Sequence, residues 1–172
     1  MKIYRFGIRG WFGAVLAACA TVAATLPLNP ATASEPSAWE FIECSEGSLN
    51  VRVDTATRAV TGSANVSSCV SQGTPGYTSA TITIRGSATQ ITASLVDTVT
   101  TETIRWNTGQ TTTVSVQRSF MGATNLSAIG IGKTTAGLFH PADQFDSGDG
   151  NRSNGAGAIT LSKETSWMVG SM

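Results

Sequence analysis

The chain holds one histidine, His140, so any chemistry that needs an imidazole must run through it. Asp146-Ser147-Gly148-Asp149-Gly150, a few residues further on, has the residue types of a serine nucleophile loop. Such catalysis needs the imidazole against the serine and a carboxylate orienting the imidazole. His140 is followed directly by Pro141, and no upstream segment supplies the orienting group. A solvated turn is therefore the better reading. The same acidic stretch could instead hold calcium through Asp143, Asp146, Asp149 and Asn151. Asp149-x-Asn151-x-Ser153 has the alternation that opens an EF-hand loop. The sixth position is Asn154 rather than Gly, however, and the twelfth is Thr160 rather than Glu. Ordinary turn composition accounts for the run.

Three further groups invite chemistry. Gly132-Lys133-Thr134 has the end of a phosphate-binding loop, but the first glycine of that motif would fall on Ser127. Glu40, Glu43 and Glu46 would share a face on a helix and could ligate a metal there. The neighbouring Trp39 and Phe41 favour a strand, on which Glu43 faces away from the other two and the group is a solvated edge. Glycosidase-type work needs two carboxylates facing each other across a cleft, and Glu102 and Asp97 have no partner that spacing alone can assign. No catalytic set, metal site or cofactor is expected.

Cys44 and Cys69 are expected to form a disulfide, since metal binding would need nearby histidine or carboxylate partners that the spacing does not provide.

The elements that must carry these residues read as strands. Leu49-Asn50-Val51-Arg52-Val53-Asp54 alternates apolar with polar, and Ala80 to Gly86 repeats the pattern with Ile82 and Ile84 inward. Further runs are Val60 to Val70, Thr89 to Val96, Val99 to Trp106, Thr111 to Phe120, Leu126 to Ile131 and Ala156 to Lys163. A short first strand is expected around Trp39 and Phe41. Breaks are expected at Asp54-Thr55-Ala56-Thr57, at Gln72 to Gly76, at Asn107-Thr108-Gly109 and over Asp146 to Gly157. Threonine is the commonest residue, which suits pleated, half-exposed surface. Eight or nine strands in one antiparallel domain imply a β-sandwich or a β-barrel.

The N-terminus carries Lys2, Arg5 and Arg9, then an apolar run through Trp11 to Leu28, then Pro30 and Ala31-Thr32-Ala33. That order is a secretory signal peptide. Cleavage is expected between Ala33 and Ser34, giving residues 1–33 as signal and 34–172 as one secreted domain. An uncleaved transmembrane anchor is disfavoured, because Pro27 and Asn29 end the apolar run early. Leu16-Ala17-Ala18-Cys19 is the alternative, a lipobox that would leave the protein lipid-anchored at Cys19. Beyond the signal, eight basic residues stand singly against eleven acidic ones. The lack of a basic patch argues against a nucleic-acid partner.

Ile104-Arg105-Trp106-Asn107-Thr108-Gly109-Gln110-Thr111-Thr112-Thr113-Val114, with Gly132 and Thr134 to Phe139, resembles a W-x-x-G-x-T-T-x-V … T-x-G-x-F pattern. It is similar to that of small exported Thr/Gly-rich β proteins of actinobacteria, bacterial proteins mostly without an assigned function. The resemblance spans about half of the mature chain. It implies secretion and β structure and carries over no catalytic residue. The expected function is a secreted, non-enzymatic binding module for an extracellular protein, a glycan or a cell-envelope component. The alternatives are an envelope assembly subunit that pairs by strand addition, and a small secreted hydrolase built around His140.

Overall fold

The computed structural model describes residues 41–73, 76–164 and 166–170. Residues 1–40 lie outside that range, and with them Cys19, the Ala33–Ser34 junction, Trp39 and Glu40. Nine antiparallel strands follow in chain order: β1 (Phe41–Asp54), β2 (Ala59–Gln72), β3 (Ala80–Ile91), β4 (Leu95–Trp106), β5 (Thr111–Met121), β6 (Asn125–Gly137), β7 (Asp143–Gly155), β8 (Ala158–Glu164) and β9 (Ser166–Gly170). Each strand from β1 to β7 pairs with its successor. The circle then closes. β8 lies between Gly150–Gly155 of β7 and Ser48–Asp54 of β1, while β9 lies between Asp143–Ser147 and Phe41–Cys44. The two short strands share the eighth position, so the fold is a closed eight-strand barrel with one extra strand. Of the two expected architectures it is the barrel, not the sandwich.

Alternation decides which side chains fill it. On β5, Thr112, Val114, Val116, Arg118 and Phe120 are buried while the residues between them face out. Ile82 and Ile84 are inward and Thr81, Thr83 and Arg85 outward, as the sequence pattern requires. The alternation slips on β1 and β2 between Cys44 and Leu49 and between Val66 and Cys69, where Ser68 adopts a φ of 53°. Glu43 and Glu46 are therefore both exposed, contrary to the opposite faces expected of them. Cys44 and Cys69 stand directly opposite each other in the ladder and form the disulfide, with Cα atoms 3.9 Å apart.

Three expectations need correction. No separate short strand precedes Cys44 among the described residues: Phe41 begins a single strand that runs to Asp54, and Trp39 lies outside them. The run Thr89 to Val96 is also not a strand. It is the end of β3, a turn in which Thr92 N donates to Leu95 O (2.8 Å), and the start of β4. The stretch from Asp146 is not a loop either, since β7 runs to Gly155. Its turn-like composition serves the barrel interior instead: a Cβ added at Gly150 would lie 1.9 Å from Ser162 O on the neighbouring strand. The turns at Asp54–Thr57 and Asn107–Gly109 are as expected. Asp54 Oδ1 accepts from the amides of Ala56 and Thr57 (3.0 and 2.7 Å), and the Thr57 bonds hold its carboxyl below the usual value.

Both ends of the barrel are plugged. At one end Tyr77, Trp106, Phe139 and Trp167 pack with ring centroids 5.5–5.8 Å apart. At the other, the buried Arg152 donates from Nη2 to Thr92 O (2.8 Å), and Val96, Phe120 and Leu126 are buried as well.

Candidate functional site

Midway along the barrel, strand alternation turns four charged side chains inward: Glu102 on β4, Arg118 on β5, Asp146 on β7 and Lys163 on β8. Each is sealed from solvent, with side-chain exposures of 0–1%. Arg118 Nη1 donates to Glu102 Oε1 (2.6 Å), while its Nε and Nη2 donate to the two oxygens of Asp146 (3.1 and 2.6 Å). Lys163 Nζ donates to Asp146 Oδ1 (2.5 Å), and Gln144 Nε2 to its Oδ2 (2.8 Å). Thr100 completes the set, donating to Glu102 (3.3 Å). Two cations and two anions balance.

Their space comes from β6, whose inward residues at this level are glycines. A Cβ at Gly130 would fall 2.2 Å from Asp146 Oδ2, and one at Gly132 would fall 2.7 Å from Gln144 Oε1. Burial works against charge on Arg118, Asp146 and Lys163, but the partners prevail at the first two. The two carboxylates hold the Arg118 guanidinium well above its ordinary value despite its desolvation. Asp146, though buried, is held well below the carboxylate range by Arg118 and then by Lys163. At Lys163 desolvation is the larger effect and Asp146 only partly offsets it, so the ammonium is pushed down. A general acid or base must reach the proton it moves. A sealed, mutually neutralised cluster cannot, and its chemical role is to fill the barrel.

The sequence candidates are dispersed. His140 is exposed, and its Nδ1 donates to Thr134 O (2.9 Å). Asp146 is committed to the interior, so the expected reading of Asp146 to Gly150 as a solvated turn gives way to a strand. Along that strand Asp143 and Asp149 face outward while Asp146 faces inward, and they cannot converge on one cation. No group of three or more His, Cys, Asp or Glu among the described residues is placed to hold a metal. Gly132-Lys133-Thr134 lies within β6, not in a loop that could wrap a phosphate. Glu46 accepts from Ser67 (3.4 Å) and Asp97 from Ser119 (2.6 Å).

Trp106, Thr112, Gly137 and Phe139 of the W-x-x-G-x-T-T-x-V … T-x-G-x-F pattern meet at one place. Trp106 Nε1 donates to Thr112 Oγ1 (3.0 Å), which donates to Leu138 O (3.0 Å) and so brings Phe139 onto Trp106. Gly137, at φ 85°, passes so close to β5 that a Cβ would lie 2.3 Å from Thr111 O. The pattern is a lock on the end of the barrel.

The outer surface carries the other departure. On β6 two large residues face out, with Ile131 63% and Ile129 43% exposed. Phe145, Met121 and Val99 on the adjoining strands are also exposed. In register, Val99, Gln117, Ile131 and Phe145 form a row across β4 to β7. Single exposed apolar residues are ordinary, whereas a group gathered on one wall is a departure from that pattern. No family model, curated protein or solved structure matches this chain.

Proposed function

We propose that this chain is a secreted, non-enzymatic interaction module that recognises its partner through the outer wall of β4 to β7. The observation that carries the reading is the exposed group Ile129, Ile131, Phe145 and Met121 on a barrel whose interior is filled. A ligand-holding barrel keeps a cavity; this one is occupied by the ionic cluster and plugged by aromatic rings at one end and Arg152 at the other. Recognition is left to the outside. A lipid-facing barrel would need an apolar girdle around its whole circumference, whereas Asn65, Thr83, Arg85 and Thr103 face outward on β2 to β4. No helix among the described residues is long and apolar enough to cross a membrane. The disulfide is in keeping with an oxidising compartment.

Co-sedimentation of the purified protein with isolated cell-wall and membrane fractions, alongside Ile131→Glu, tests this reading. Binding or self-association that is lost in the variant supports it. Equal behaviour of the two proteins removes the wall from consideration. Turnover of a peptide, ester or glycan substrate that vanishes in His140→Ala would overturn the non-enzymatic reading.

A further inference from the structure

The outer wall of β6 and β7 is complementary to itself. In register, Lys133 stands beside Asp143, Ile131 beside Phe145 and Ile129 beside Ser147. A two-fold axis parallel to the strands and midway between them exchanges the two columns and keeps each row at its height. Lys133 of one copy then lies over Asp143 of the second, and Ile131 lies over Phe145, each contact occurring twice. That reciprocity is what an isologous interface requires. Lys133 and Asp143 form an ion pair at 3.4 Å whose side chains are 82% and 46% exposed, so both can reach across. The Lys133–Asp143 row carries one charge of each sign, and the rows of Ile131 and Ile129 carry none.

We propose that the β6–β7 wall is the interface of a two-fold homodimer of this chain. The inference rests on the reading of this wall as a recognition surface and names its partner. Aligned sheets pack face to face about 10 Å apart with their side chains interdigitating, and Ile129, Ile131, Phe145 and Met121 supply the apolar centre. Other occupants fit the charges less well. An anionic surface would want a basic rim, and this rim pairs its one lysine with Asp143 and also carries Asp149 and Asp97. Closure of the barrel leaves the wall, rather than a strand edge, as the surface for self-association.

Sedimentation velocity of the disulfide-intact protein from about 1 to about 100 µM decides the matter, that range bracketing affinities of ordinary specific contacts. The wild type is expected to pass from monomer to dimer. Ile131→Glu should stay monomeric throughout with an unchanged far-ultraviolet spectrum. Lys133→Asp and Asp143→Lys should each weaken the dimer at least about tenfold, since like charges then face each other. The double exchange should restore it. If Ile131→Glu fails to fold, the charge series on exposed positions decides alone. A wild type that is monomeric at the highest concentration overturns the proposal, as does a dimer indifferent to Ile131→Glu or a double exchange that does not recover. A monomer that still binds envelope fractions through Ile131 removes the dimer and leaves the wall as a recognition surface. Loss of both behaviours removes both readings.

Discussion

Arg118 donates to two carboxylates inside the barrel, so its removal would leave Glu102 and Asp146 sealed together with only Lys163 to answer them. Arg118→Met is expected to cost about 3–5 kcal/mol in urea unfolding, the usual consequence of stripping one partner from a buried ionic group. The pH dependence follows from Asp146, whose carboxyl is held below its ordinary value near 3.8 in the folded protein. Its contribution is complete above that value and is lost as pH falls below it, because the unfolded chain takes up the proton first. Stability should therefore drop below about pH 4, and the acid-side slope should flatten in Asp146→Asn if that variant folds. Lys163 has the same sign in a different window: with its ammonium pushed down in the fold, its burial costs stability at neutral pH, and that cost is relieved as pH rises toward 10.5. His140→Ala should change stability by no more than about 1 kcal/mol, the worth of its one hydrogen bond to Thr134. Part of the cluster was legible. Val114-x-Val116-x-Arg118-x-Phe120 puts an arginine in an otherwise apolar inward phase, and Ile159-x-Leu161-x-Lys163 does the same for lysine. Asp146 was not legible, because the inward residues around it are glutamine and glycine and its large apolar neighbour Phe145 faces out.

At the level of elements, β1 and β2 are joined twice, by a ladder of register pairs and by Cys44–Cys69 across a separation of 25 residues. Cys44→Ser should lower stability by roughly 2–5 kcal/mol without changing the β spectrum. Identical melting with and without reductant would refute a structural bridge. The lock on the barrel end makes a parallel demand. Phe139→Ala should cost about 3–5 kcal/mol, as for other large aromatic truncations in a core, and should also loosen the Tyr77 and Trp106 packing. A shift in tryptophan fluorescence would report that loosening. Strands whose apolar residues point inward, such as Leu49 to Val53 and Ala80 to Gly86, were readable from period two. β7 was not, because Asp, Ser, Gly and Asn signal turns until a tertiary environment gives inward glycines and a buried aspartate a purpose. On β6 the period was right and the phase ambiguous, since Ile129 and Ile131 are outward.

For the whole molecule, alternation says that each strand has one buried face, a condition that sandwich and barrel satisfy equally. What separates them is the pairing of β1 with β8 and β9, more than a hundred residues away, and no local pattern encodes it. The exported protein is expected to begin at Ser34 with both cysteines oxidised. Intact mass measurement checks this, and a diacylglyceryl mass on Cys19 would refute it. The closing pair also bears on the order of events in folding. β2 to β7 can zip as successive hairpins, but β1 waits with one edge unmatched until β8 and β9 are made. Such a distant pairing is slow to form, because the entropy of closing the chain precedes the contacts that reward it, and an open intermediate presents strand edges to its neighbours. A chain exported unfolded, as proposed here, would gain from that delay during its passage, and the same delay would then be its period of greatest exposure to aggregation.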